Sequence, residues 1–459
     1  MTSTRLAIET AASFGRNANP VARFRRGSQS LFNISIYTFG MSGVWVGFGS
    51  ILLQYKVTEI AVNDPVSMFG WSLDKTSLAA FISLSGLGIA AMVQPMVGLM
   101  SDRKVGMVSL RRYPFIIFGM VGLAVSTLIF GFVNSFLALL LVTIAMQITG
   151  NTAQGPANAL IIDHVDLEER GRASGYLNLM RLLGSGFVAM LVVFLMSNYH
   201  VGDAPQWMWY SVILMVAVLL ATTVYTLLAL RVPRAKQSDE SMPKTEVEDV
   251  ASEVEDVEDE EWNRMRYYMF LLAMAFLIAA MSATQTNAVF FVQDVIGLEN
   301  PAEGGNYILA ALVGAAAVVV YPAGKLSDHI GRGVLLLISG ILGAGGVLSV
   351  LLLDAHSLIE VIPGVMAIGF AIGIYLSVGW AVANDLVRRS RAARDLGLTS
   401  ISGLVGAIVG RSTGFFIGGL NDQGLDWGIE YLGYGMVLGS TSFAFLISGI
   451  AFWLVVRND

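Results

Sequence analysis

The sequence predicts an all-α membrane protein: twelve transmembrane helices in two six-helix, pseudo-symmetric bundles. Three observations predict it. Twelve apolar stretches recur along the 459 residues, each of roughly 20 residues, enough for a helix to cross a ~30 Å hydrocarbon core. Lys and Arg fall in alternate gaps between those stretches. A weak internal repeat relates the first six stretches to the last six.

Taken in order, residues 1–30 are polar and basic and read as an N-terminal cytoplasmic segment. The first bundle, 31–231, holds predicted helices at about 31–54, 78–100, 114–132, 136–162, 173–196 and 208–230. A linker, 232–266, follows. The second bundle, 267–456, holds predicted helices at about 267–292, 305–323, 334–353, 358–383, 397–420 and 434–456. With both termini inside, 24 of the 28 Lys and Arg residues are cytoplasmic; Lys56 and Lys75 lie outside, and Arg181 and Arg411 lie within helices. That asymmetry is what the positive-inside rule expects, and the opposite orientation would invert it. A multi-pass protein of the cytoplasmic (inner) cell membrane is expected.

Composition agrees. The chain is 55 % apolar and 14 % charged, too few charges to clothe a soluble protein of this length. The first apolar stretch is too long for a signal-peptide core. The net charge of −6 originates in residues 239–261, which hold twelve acids and one lysine and read as a self-repelling disordered linker. There is no cysteine, so neither a disulfide nor a thiolate site is available. His164, His200, His329 and His356 do not pair at metal-ligand spacing. No cofactor, metal or nucleic-acid partner is expected; the expected partners are the lipid bilayer and a small solute, and the expected state is a monomer. A membrane enzyme would need a nucleophile–base set or an acid or His cluster on one membrane face, and none is evident.

The repeat has two offsets. Gly98, Ser101 and Asp102 match Gly324, Ser327 and Asp328 at 226 residues, and Asp163, Arg172, Gly175 and Gly184 match Asp385, Arg394, Gly397 and Gly406 at 222. Six helices per half give both halves one orientation, so an axis along the membrane normal should relate them, with the solute between them near the midplane.

The segments Gly98-Leu99-Met100-Ser101-Asp102-Arg103 and Gly324-Lys325-Leu326-Ser327-Asp328-His329-Ile330-Gly331-Arg332 resemble the loop motif of the major facilitator superfamily. The resemblance implies that charges there pair across the cytoplasmic seam and lock one conformation. It nominates Asp102, Arg103, Arg112, Asp163, Asp328, Arg332, Asp385 and Arg394 as gating residues; topology-setting charge is the plainer reading. More narrowly, Val93-Gln94-Pro95, Arg111-Arg112-Tyr113-Pro114 and the segment from Asn151 through Gln154-Gly155-Pro156 to Asp163 resemble the sucrose–proton and glycoside–pentoside–hexuronide:cation symporters. That implies a sugar-like substrate. The departure is informative: where sucrose symporters carry an aspartate and an arginine on the fourth helix, this chain has Gln147 and Asn158, and the first two helices lack the aspartates of melibiose-type carriers.

Polar groups inside the membrane are functional candidates. Arg181 lies too deep to snorkel easily and is the first candidate for solute or coupling contact. Gln147, Asn151, Gln154 and Asn158 recur every three or four residues and form one stripe, which should face the interior; amides both donate to and accept from sugar hydroxyls. Asn178 joins Arg181. Gln285 and Asn287 on helix seven, Trp380 and Asn384 on helix ten, and Trp45 and Gln54 on helix one complete the candidate site. Asp294 is the expected partner of Arg411 near the outer face. Coupling to a proton or cation would run through that pair, or solute would move uncoupled. The favoured reading is alternating-access transport of a sugar or glycoside; the alternatives are an anionic solute (a hexuronide or organic acid) and a transport-dead sensor or scaffold.

Overall fold

The computed structural model describes residues 31–63, 66–68, 71–101, 108–160, 165, 170–200, 205–230, 264–298, 301–352, 358–386 and 392–457. The acidic linker lies outside them. Among the described residues twelve spans are long and apolar enough to cross a membrane, and the chain is a twelve-helix, multi-pass membrane protein.

The helices run in chain order. α1 spans Leu31–Val62 and is widened by a π-helical stretch at Phe48–Leu52. Then come α2, Lys75–Ser101; α3, Val108–Phe130; α4, Phe136–Asn158; α5, Arg170–Met196; and α6, Pro205–Leu230. The second half holds α7, Arg264–Asp294; α8, Pro301–Ile330; and α9, Arg332–Leu352. α10 comprises Leu358–Ile374, a π-helical stretch Tyr375–Gly379 and Trp380–Leu386. α11 comprises Ala392–Ser412 and Gly414–Trp427, and α12 is Leu432–Arg457.

Three helices run more than a turn past the C-terminal ends of their apolar stretches: α1 beyond 54, α8 beyond 323 and α11 beyond 420. Their last turns are polar, so hydropathy could not show them. In α1 the extension is held by Lys56 and Glu59, paired at 3.1 Å one turn apart. Two short strands, Ser67–Met68 and Trp71–Ser72, form an antiparallel turn before α2, the one departure from all-α structure among the described residues. Helix starts carry recognisable caps: Asp74 Oδ1 accepts from Ser77 N at 3.0 Å, and Ser135 Oγ accepts from Ala138 N at 3.4 Å. α11 ends on Gly428 with φ +73°, the left-handed conformation that glycine takes most readily.

The repeat is visible in the packing. In each half the first helix packs on the fifth and sixth, the second on the fourth, and the third on the fourth and sixth. Gly184 on α5 lies so close to α1 that a Cβ would sit 2.1 Å from Phe39 O; Gly406 on α11 lies so close to α7 that a Cβ would sit 2.3 Å from Ala275 O. These two glycines share the 222 offset. Small residues let membrane helices approach this closely, where dispersion between backbones is strongest. Likewise Ser101 Oγ donates to Gly98 O at 3.0 Å and Ser327 Oγ to Gly324 O at 2.7 Å.

An even number of crossings returns the chain to the face it left; this is the terminal face, and the other is the far face. The halves meet toward the far face, through α1 and α2 on α7, α2 on α11, and α5 on α8. The apolar core of the first half runs there into Phe290, Ile417, Tyr434 and Val437 of the second. A separate core built from Phe270, Leu277, Tyr375, Phe445 and Phe452 holds most of the second half, with a small cluster at Val350, Val361 and Val365.

Candidate functional site

The seal at the far face is polar at its rim. Lys75, in the first turn of α2, pairs with Asp294 at the end of α7 at 2.5 Å, and donates to Gln293 Oε1 at 3.0 Å. Tyr434 of α12 donates to the other Asp294 oxygen at 2.6 Å. Beneath this rim, α11 lies directly on α2. A Cβ on Gly414 would sit 2.8 Å from Thr76 O, and one on Gly418 would sit 2.4 Å from Asp74 Oδ2. Gln54 of α1 is fully buried and reaches Thr286 O of α7 at 3.4 Å. On the outer flank of the first half, Tyr199 stands 3.4 Å from Glu59 Oε2; burial, and secondarily the Glu59 carboxylate, raise its hydroxyl above the ordinary tyrosine value.

The expected Asp294–Arg411 pair does not form. Asp294 is held by Lys75 and Tyr434 instead. Gly410 packs on Ala279 and Ala283, so Arg411 lies level with Ala283, eleven residues and roughly 17 Å below Asp294 along α7. A guanidinium on a three-carbon stem does not reach that far.

Closer to the terminal face several polar side chains within the spans are exposed. Arg181, eleven residues and roughly 17 Å into α5, is exposed and holds Asn178 Oδ1 at 3.3 Å. Tyr37 of α1, 2 % exposed, donates to Asn158 Oδ1 at 2.9 Å, and its neighbour Thr38 donates to Leu177 O of α5, next to Asn178, at 3.2 Å. Arg181, Asn178, Tyr37 and Asn158 therefore form one polar layer joining α1, α4 and α5. Polar side chains exposed on membrane helices need water or a ligand, because lipid satisfies none of them. Among the described residues Arg181 has no acidic partner.

The amide stripe of α4 divides. Asn151 is 3 % exposed and saturated: its Nδ2 donates to Gln147 O at 2.7 Å and Gln147 Oε1 at 2.9 Å, and its Oδ1 accepts from Gln94 at 2.8 Å. Gln147 and Asn151 thus tie α4 to α2. Gln154, half-buried, and Asn158, exposed, are less enclosed. Trp45 packs its ring on Gly150, whose Cβ would sit 2.5 Å from Trp45 Cζ2. Its indole N–H is buried without a partner among the described residues, which is costly unless something accepts from it.

In the second half Gln285 is exposed, whereas Asn287 is buried against α11, donating to Thr413 Oγ1 at 3.1 Å. The π-helical stretch of α10 immediately precedes Trp380; such stretches gather at functional sites. The side chains of Trp380, Asn384, Asp328, Asp385 and Arg394 lie outside the description, as do residues 102, 103 and 163 entirely. Of the gating candidates, Arg112 is 6 % exposed and Arg332 half-buried. Sequence reasoning missed Tyr37, Gln94, Lys75 and Tyr434 as site or seal residues. Gln94 carried a signal, being an amide in an apolar run; the others look like ordinary interface residues.

Against known proteins, residues 30–411 match the family described as Major Facilitator Superfamily. No curated protein matches. Among solved structures, the fold is similar to a bacterial homologue of the human lysosomal transporter Spinster in an inward-facing, unoccupied conformation (TM-score 0.63, 17 % identity, 94 % of this chain and 97 % of that one). It is also similar to a peptide transporter, POT (0.66, 14 %, 94 % and 94 %), and to the nucleoside transporter NupG (0.62, 15 %, 93 % and 98 %). At these identities the likeness is one of fold.

Proposed function

The chain belongs to the major facilitator superfamily, and from that premise we propose that it carries a small polyhydroxylated solute, of the sugar or glycoside class, across the cytoplasmic membrane by alternating access. The observation that carries the reading is the exposed polar layer of Arg181, Asn178 and Asn158, backed by the buried Tyr37, below a far face that is sealed. Donors and acceptors alternate there, which suits hydroxyls. The unpartnered indole N–H of Trp45 adds a donor at mid-depth. The halves would rock about the solute, closing the terminal face as the far seal opens. The orientation follows from the charge asymmetry, with both termini cytoplasmic. In this reading the walls of each bundle stay rigid, and the loop motifs around Asp102 and Asp328 hold the cytoplasmic side when it closes.

One observation favours a second reading: Arg181 stands in the cleft without a carboxylate among the described residues, so an acidic solute would complete it.

Uptake into proteoliposomes, screened with labelled neutral sugars and sugar acids, tests both. Arg181→Ala should abolish uptake while leaving the unfolding midpoint unchanged, because an exposed side chain leaves no packing defect. Arg181→Lys should recover little, since a point charge does not replace a planar fork of donors. Full uptake by Arg181→Ala would remove this residue from the path. No uptake of any solute would favour a sensor on the same fold.

A further inference from the structure

Arg411 makes no hydrogen bond or ion pair with any described residue, although it lies within a membrane-spanning helix. An ionised group in that position needs a counter-charge or hydrogen-bonding partners. The faces of α11 say where it points. Ser402, Gly406 and Gly410 are buried against α7, with Ser402 donating to Leu271 O. Ile401, Val405, Ile408 and Val409 are exposed and apolar, the face that suits lipid. The third face carries Leu404, Ala407 and Arg411, all half-buried, and continues at helical spacing into Gly414 and Gly418, which touch α2 of the opposite half. Arg411 therefore looks toward the seam, immediately below the seal.

A second group faces the same place. Asn287 Oδ1 is buried and has no hydrogen-bond partner among the described residues, and it lies 3.5 Å from the Cβ position of Gly414. Asn287 Nδ2 donates to Ala283 O at 2.9 Å and to Thr413 Oγ1 at 3.1 Å. A backbone carbonyl only accepts, so the amide can be turned no other way and its oxygen is left toward the seam. From the other half, Gln54 repeats the pattern: its Nε2 donates to Gly49 O at 3.0 Å, while its Oε1 is buried and unpartnered.

A cation without an anion, beside acceptors without donors, is the complement of one ligand chemistry: an anionic group flanked by hydroxyls. We propose that Arg411 and Asn287, faced across the seam by Gln54, form a deep subsite for a hydroxy acid, the carboxylate on Arg411 and a neighbouring hydroxyl donating to Asn287 Oδ1. The inference rests on reading the cleft as a solute path, and it sharpens that reading to a polyhydroxylated solute bearing an acid. Because the subsite draws on both halves, its ligand would bind fully only while the far face is shut.

The test is ligand-dependent thermal unfolding of the detergent-purified full chain, since a ligand that binds the folded state raises its midpoint by mass action. Three six-carbon probes separate the terms: gluconate carries carboxylate and hydroxyls, sorbitol only hydroxyls, hexanoate only a carboxylate. Gluconate should stabilise more than either. Arg411→Gln should raise the apparent Kd for gluconate at least tenfold and leave the sorbitol response alone. Asn287→Asp, which supplies Arg411 with an internal carboxylate, should remove the gluconate response in a protein that stays folded even if Arg411→Gln does not. Gluconate acting no better than sorbitol, hexanoate matching gluconate, or an undiminished gluconate response in Asn287→Asp would each overturn the proposal. These are binding readouts, so a failure of transport in proteoliposomes would sink the carrier reading and leave the subsite standing.

Discussion

Removing the Lys75–Asp294 pair should loosen the far face by a measurable and limited amount. The two side chains are 22 % and 27 % exposed, so the ion pair is worth nearer the ~0.2–1 kcal/mol of exposed pairs than the value of a buried one. Lys75 also donates to Gln293 at 3.0 Å, and such a bond to a charged donor adds about 1 kcal/mol in this partly wet setting. Tyr434 belongs to the same half as Asp294 and keeps its bond when the halves part, so it contributes nothing to the seam. The pair therefore biases the closed far face by about 1–2 kcal/mol, a factor of roughly 5–30 in population. Ala80 reads that population. It is fully buried, and Gly414 of α11 lies against it, a Cβ there falling 3.1 Å from that of Ala80. The chain has no native cysteine, so Ala80→Cys is a single reporter for an impermeant maleimide applied from the far side. Lys75→Gln, which loses both contacts, should raise its labelling rate about 5–30-fold; Asp294→Asn, which keeps the Lys75–Gln293 bond, should raise it less, and the double variant should match Lys75→Gln, because the ion pair is shared by both. Unchanged labelling in both variants, or rapid labelling in the unaltered protein, would refute the assignment of this rim as a seal.

Two further outcomes follow from the packing. Gly184→Ala and Gly406→Ala each force a methyl into the backbone of the neighbouring helix. Each should lower stability by about 1–3 kcal/mol, seen as comparable drops in unfolding midpoint, since the two sites are structural equivalents. Tyr37→Phe should cost about 0.5–1.5 kcal/mol of stability through loss of its bond to Asn158, and should lower solute affinity without changing the Ala80→Cys labelling rate.

Much of the architecture was legible because the membrane imposes it. Twelve spans follow from hydropathy, and their pairing follows from the glycine repeat once Gly184 and Gly406 are seen as equivalent contact points. Helix ends were less legible, since the last turns of α1 and α11 are polar and held by local pairs such as Lys56 and Glu59. The site was legible only in part. Periodicity put Gln147, Asn151, Gln154 and Asn158 on one stripe, but whether an amide ties two helices or faces the cleft depends on what the neighbouring helix offers at that level. Gln94 consumes Asn151, and nothing among the described residues consumes Gln154. The Asp294–Arg411 expectation failed for a related reason. Both stand near one membrane face in sequence, yet depth along α7 separates them, and Lys75, 219 residues away in sequence, is the nearer cation.

On the carrier reading proposed above, Arg181, without an acidic partner among the described residues, also has an electrical consequence. While the terminal face is open, water there carries the potential of that compartment up to the guanidinium, and most of the transmembrane voltage drops across the sealed far side. When the seal changes sides, the voltage drops on the other side of the same charge. An empty carrier thus shifts up to one elementary charge through the field with each turnover, about 2.3 kcal/mol per 100 mV. A solute that neutralises Arg181 would make the loaded step electrically silent, so the voltage sensitivity of the return step reports the charge of the cargo.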